Sequence, residues 1–249
     1  MSTVLVTGAA RGLGRGLVAA FAVAGWDVAV TARRLADAED ATRSLPDGGG
    51  RPIALELDVT DPEQADIAVA ATLAAFGRLD AFVHNAVSVR SSDVCELETA
   101  SLALWEEHAS VSLRGLWRCA RAATEPLAAS GGSLLVLTSP AGINGSAGGA
   151  LYGTVKAGQR AFVRSLAREW GPTGVRVNGL APLALTEALE KTFREDPSKQ
   201  AALAKIVPLG RFGDPVHDIG PAAVFLCSEA ARYVTGQNLV VSGGRLTST

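Results

Sequence analysis

"TVLVTGAARGLGRGLVAAFAVAG", residues 3–25, changes character twice. Thr3–Thr7 is a short, mostly apolar β-branched run, the pattern of a strand buried on both sides. Gly8, Gly12 and Gly14 then form G-x3-G-x-G, and "GRGLVAAFAVAG" follows as an apolar helical pattern. A strand that turns through glycines directly into a helix is the first half of a βαβ unit. Glycine allows the tight turn and lets the main chain approach a ligand closely. The helix N-terminus behind it offers unpaired N–H groups and the positive end of a dipole, which suits a pyrophosphate.

The same alternation runs down the chain. Strands are expected at 27–31 ("DVAVT"), 52–57 ("PIALEL"), 79–84 ("LDAFVH"), 133–139 ("SLLVLTS"), 175–181 ("VRVNGLA") and 237–243 ("QNLVVSG"), with helical patterns between them. Asp61 reads as an N-cap with Pro62 as the first helical residue. A long helix is expected at about 99–129. Residues 46–52, "PDGGGRP", read as a surface turn. Apolar strands separated by helices imply a parallel sheet covered on both faces. The expectation is one α/β domain over residues 1–249, a doubly wound, Rossmann-like parallel sheet with helices on both faces.

The end of the second strand bears on which dinucleotide binds. An acidic residue there would hold the ribose hydroxyls of NAD. The chain reads Ala32, Arg33, Arg34. A guanidinium binds a 2′-phosphate through charge-assisted hydrogen bonds, so Arg33, with Arg11 from the glycine turn, points to NADP(H). Asp58, after the third strand, is placed either to meet the adenine or to cap a helix.

"LYGTVKAG", residues 151–158, holds one of two tyrosines and, four residues later, the first lysine. Only four of the 23 basic residues are lysine. Residues i and i+4 share a helix face, so Tyr152 and Lys156 point the same way. A phenol exchanges protons near neutral pH only if its anion is stabilised, and an ammonium does this as a compact charge. Ser139 ends the fifth strand, where ligands meet an open α/β sheet, and its hydroxyl can hold a carbonyl oxygen.

Together these residues resemble the short-chain dehydrogenase/reductase family. "TGAARGLG", "HNAV", "TSPAG", "YGTVK", "RVNGLAP" and "YVTGQNLVVSGG" stand in its order along the whole chain. The resemblance implies hydride transfer between nicotinamide and a carbonyl or alcohol carbon. Tyr152 would be the general acid/base, Ser139 would orient the substrate oxygen, and Lys156 would also bind the nicotinamide ribose. Cofactor contacts are implied at Gly8, Arg11, Gly12, Leu13, Gly14, Arg33, Asp58, Val59, Asn85, Ala86, Tyr152, Lys156, Pro182 and Thr186. A homo-oligomer, dimer or tetramer, is also implied.

The chain departs from the family pattern at several points. His84 and Val87 stand in the usual Asn-Asn-Ala-Gly. Ser112 replaces the asparagine that holds a water for a proton relay to the lysine, and Leu183 replaces the glycine after Pro182. Ser242 stands where an acid is usual. Residues 183–205 are expected to form a lid, with Leu185, Leu189 and Phe193 offering an apolar face. The expected substrate is an apolar ketoacyl thioester or secondary-metabolite ketone. An enoyl-type reductase and a non-catalytic NADP-binding sensor remain as alternatives.

Composition narrows the rest. A net charge of −2 argues against a nucleic-acid partner. The run "LVAAFAVAGW" has ten residues against the ~18 of a membrane span. The first residues do not read as a signal peptide, so a cytoplasmic protein is expected. Three scattered cysteines and three scattered histidines lack metal-ligand spacing, so no metal is expected.

Overall fold

The computed structural model describes the chain except residues 47, 92, 186, 197, 199–204 and 248–249. Seven strands form one parallel sheet: β1 (Thr3–Val6), β2 (Asp27–Ala32), β3 (Pro52–Glu56), β4 (Ala81–His84), β5 (Ser133–Leu137), β6 (Arg176–Pro182) and β7 (Asn238–Val241). Their order is β3-β2-β1-β4-β5-β6-β7. The order reverses between β1 and β4, and the carboxyl ends of these two strands frame the crevice that such sheets use for ligands. Each strand lies within two residues of its expected bounds.

The helices are α1 (Gly12–Val23), α2 (Leu35–Arg43), α3 (Gln64–Phe76), α4 (Leu102–Ala109), α5 (Gly115–Ser130), α6 (Ala141–Asn144), α7 (Ala150–Trp170), α8 (Glu187–Glu195) and α9 (Gly220–Cys227). Two apolar cores form on opposite faces of the sheet. One packs α3, α5 and α7 through residues such as Val69, Leu116, Leu127 and Val163 against Leu5, Phe82 and Leu134. The other packs α1 and α9 through Leu17, Phe21 and Leu226 against Val4, Val28 and Leu135. Successive strand residues point to opposite faces, and both faces are apolar. The β1 run therefore reads as continuous apolar text.

Two helix starts differ from expectation. Asp61 does cap α3, its carboxylate accepting from the Glu63 and Gln64 N–H groups, but regular helix begins at Gln64 and not at Pro62. The helix expected at 99–129 begins at Leu102, where the Ser101 hydroxyl accepts from the Leu104 N–H. It is interrupted by a π-turn at Ser110–Arg114 before continuing as α5. A π-turn widens the backbone locally and gives up the ordinary hydrogen-bond register. The expected lid at 183–205 lies partly outside the described residues. Its described helix, α8, places Phe193 against Phe212, with ring centroids 5.3 Å apart.

Candidate active site

The glycine turn is held from β4. Gly8 and Gly12 adopt φ of +64° and +51°, which side chains other than glycine rarely take. A Cβ on Gly14 would lie 2.3 Å from the Gly8 carbonyl oxygen and 2.6 Å from Asn85 Nδ2. Asn85 donates through Nδ2 to the carbonyls of Thr7 (2.9 Å) and Gly8 (3.0 Å). The Thr7 hydroxyl accepts from the N–H groups of both Asn85 and Ala86 at 3.0 Å. Arg11 precedes α1 in extended conformation and supplies no side-chain cap. The turn therefore leaves a cradle of main-chain donors, and these residues fit the pyrophosphate of a dinucleotide.

Beyond β2 the two arginines differ. Arg34 is committed to Asp37, with hydrogen bonds of 2.8 and 2.6 Å. That pairing holds the Asp37 carboxyl below the usual carboxylate range, with smaller contributions from Arg11 and Arg33. Arg33 is exposed and makes no hydrogen bond or ion pair among the described residues. Leu35 N–H, at the start of α2, donates to the Glu56 carboxylate. Asp58 is used locally: its Oδ1 accepts from the Thr60 N–H and hydroxyl. Neighbouring Val59 is buried and packs so tightly on α5 that a Cβ at Gly115 would lie 2.7 Å from it. Leu13 packs against the α1 core.

Ser139, Tyr152 and Lys156 come together between the end of β5 and the first turns of α7. The Ser139 hydroxyl accepts from the Ala141 N–H at 3.2 Å and stands close enough to the Tyr152 phenol to act on its pKa. Lys156 Nζ lies 5.7 Å from the centre of the tyrosine ring. It donates to the Leu137 carbonyl at 2.6 Å and to Gln159 Oε1 at 3.0 Å. Burial raises the phenol pKa, and the nearby Ser139 hydroxyl partly offsets this. Burial also pushes the Lys156 ammonium down to about 7. Desolvation disfavours the charged form of each group, so both shift toward neutrality.

Three neighbours complete this interior. His84 is fully buried, and neither ring nitrogen has a partner among the described residues. Burial, then the charge of Lys156, pushes it down to about 3, so it is neutral at working pH. His108, on α4, lies 6.3 Å from Tyr152 between ring centres. Ser112 sits within the π-turn, fully buried, with its hydroxyl unpartnered among the described residues. Its main-chain carbonyl accepts from Gln159 Nε2 at 2.9 Å.

Beside Ser139 opens a cleft of about 280 Å³. Pro140, Ala141, Pro182, Leu183 and Leu246 give it apolar walls, and Asn144, Ser146, Ser242 and Arg245 give it polar ones. Pro182 ends β6, and Leu183 N–H pairs with the Val241 carbonyl of β7. Ser242 folds the C-terminal segment over by accepting from the Leu246 N–H. Arg245 is exposed, and its side chain makes no hydrogen bond or ion pair among the described residues. Thr186 lies outside the described residues.

Gln159 and Arg245 were not singled out in the sequence. Gln159 could have been found: it lies three residues after Lys156 and seven after Tyr152, on one helix face. Arg245 follows two glycines in a tail with no periodicity, so nothing marked it.

A β1 glycine turn beside a Ser-Tyr-Lys set at the strand ends defines a nicotinamide-dependent oxidoreductase of the short-chain type. A family model described as enoyl-(acyl carrier protein) reductase matches residues 8–245, and the chain belongs to the short-chain dehydrogenase/reductase family. It is 31% identical over 242 residues to a 3-oxoacyl-[acyl-carrier-protein] reductase of Synechocystis sp., covering 96% of this chain and 95% of that one. It is 35% identical to a D-threitol dehydrogenase of Mycolicibacterium smegmatis, covering 96% and 91%. Among solved structures it resembles a 3-ketoacyl-(acyl-carrier-protein) reductase from Brucella melitensis complexed with NADH, at TM-score 0.87 and 27% identity, covering 98% of both chains. No helix among the described residues is long and apolar enough to cross a membrane.

Proposed function

We propose that this protein is an NADP(H)-dependent carbonyl reductase. The observation that carries the reading is the grouping of Ser139 and Tyr152 with the buried Lys156, whose Nζ lies 5.7 Å from the centre of the tyrosine ring. A nicotinamide held at the glycine turn would supply the hydride that reduces the carbonyl carbon. Ser139 donates to the substrate oxygen and orients it. Tyr152, kept protonated by burial, gives its phenolic proton to that oxygen. The Lys156 charge steadies the phenolate that results. Arg33 is uncommitted and receives the 2′-phosphate of the cofactor, together with Arg11.

The cleft adds to the substrate expected from the sequence. Its apolar walls suit a hydrocarbon segment, and Arg245 at the rim suits an anion. A ketone with an apolar body and a phosphate or carboxylate end, as in a 3-oxoacyl thioester, satisfies both. The protein acts as a cytoplasmic homo-oligomer, dimer or tetramer. Each chain is one domain, with a substrate lid at about 183–205, part of which lies outside the described residues. The family description supports a second reading, reduction of a C=C bond next to a thioester.

Following NADPH absorbance with matched 3-oxoacyl and 2-enoyl thioesters separates the two. Turnover of the oxo compounds is expected. Turnover of the enoyl compounds alone selects the second reading. Tight NADPH binding without turnover of any carbonyl compound defeats both and leaves a sensor.

A further inference from the structure

Lys156 is anchored in an unusual way. Two of the three protons on its ammonium are spent inside the protein, on the Leu137 carbonyl and on Gln159 Oε1. The other end of that amide donates to the Ser112 carbonyl. Lysine, glutamine and serine are all buried, so the chain Lys156–Gln159–Ser112 runs through the interior. The π-turn at Ser110–Arg114 brings α4 and α5 into the arrangement, because Ser112 lies within it. A water at this place would accept from one neighbour and donate to another, and it would exchange its protons. A primary amide holds the same two bonds without exchanging them. Passing a proton from Oε1 to Nε2 would need the imidic tautomer.

We propose that Gln159 is a positioning residue that fixes the Lys156 ammonium and closes the interior proton route to it. The proposal rests on the reading of Tyr152 as the acid. In each reduction the tyrosine O–H bond breaks and the alcohol O–H bond forms. The phenolate then takes its next proton from water in the cleft beside Ser139, and the lysine acts as a fixed charge. The other titratable groups facing Lys156 are His84, on β4, and Tyr152 itself. His84 is neutral and has no partner through which to pass a proton.

The chain has only four lysines, so carbon-13 labelling of lysine lets Lys156 be titrated directly in the cofactor-free protein. Gln159→Leu removes an acceptor from the ammonium at nearly constant volume. The Lys156 midpoint is expected to fall by about one pH unit or more. Gln159→Ala admits water, and the midpoint is expected to recover most of that fall. A glutamine with only a packing role would change melting temperature in both variants and leave all three midpoints equal, and that result overturns the fixing role. This readout needs no turnover, so it stands even if Tyr152 is not the acid.

The closed route is tested separately by solvent deuterium effects on kcat. The intact protein is expected to show an effect of about 2 or more, falling in Gln159→Ala as water opens a second supply. No isotope effect in the intact protein, or one unchanged by the substitution, overturns the closed route.

Discussion

Replacing Lys156 by methionine removes an ionisable group from a site that is only 3% exposed. A free lysine titrates at 10.5, and burial brings this one to about 7. That gap corresponds to roughly 5 kcal/mol between charged and neutral forms. Below pH 7 the lysine is protonated in both folded and unfolded chains, and the full cost of burying its charge is present. Between about 7 and 10.5 the unfolded chain holds the proton and the folded one does not. Stability therefore rises with pH across that window, by up to ~1.4 kcal/mol per pH unit.

Methionine has no such dependence. It also leaves the Leu137 carbonyl and Gln159 Oε1 without their donor, at ~1–3 kcal/mol each, but that loss does not vary with pH. The offset between the two stability curves thus mixes effects, and the slope isolates one. Urea unfolding of both proteins without cofactor, between about pH 6.5 and about pH 9.5, should show the intact protein gaining roughly 3 kcal/mol relative to the variant. Parallel curves would refute the claim that a desolvated ammonium stands at this site.

Tyr152→Phe should lower kcat by ~10²–10⁴-fold while cofactor affinity stays nearly constant, measured by turnover and fluorescence titration; a variant keeping a tenth of the activity removes Tyr152 as the acid. Arg33→Ala should weaken NADPH binding by roughly tenfold or more and leave NADH unchanged, because a charge-assisted bond to the 2′-phosphate is worth ~1.5–3 kcal/mol. Equal losses for both cofactors would mean that Arg33 does not read the phosphate. Ser112→Asn should lower stability by ~1–3 kcal/mol through overpacking. It should not raise kcat, since Gln159 already occupies the Ser112 carbonyl. A faster variant would show that asparagine restores a relay despite the amide.

The sheet was legible because its inner strands are buried on both faces, which leaves runs such as Val4–Val6 and Leu134–Leu137 without polar interruption, while the edge strands β3 and β7 are only partly buried. Helix interiors were less legible. The segment from Leu102 to Ser130 reads as one helix, since nothing in "EEHASVSLRG" announces a π-turn. The face shared by Tyr152 and Lys156 followed from their spacing. The partners of the lysine did not, because they depend on which carbonyls β5 and the π-turn bring beside it. Burial likewise set the direction of the tyrosine shift: the sequence suggested a phenol made more acidic by the ammonium, whereas desolvation raises it. Among the arginines, sequence marked Arg33 and Arg34 alike, and only the ion pair with Asp37 separates them.

The strap from Asn85 to the Gly8 turn bears on how the protein can be altered. With Asn85 donating to both Thr7 and Gly8, and with no room for a Cβ at Gly14, the turn tolerates little change at these positions. The surface beyond β2 is different: Arg33 is exposed and touches nothing that the turn requires. On the proposed reading of Arg33, coenzyme choice would be set apart from the turn. If Arg33 reads the 2′-phosphate as proposed, an acidic residue in its exposed position would turn the protein toward the non-phosphorylated dinucleotide without redesign of the turn. A side chain at Gly14 would instead be expected to weaken binding of both dinucleotides together.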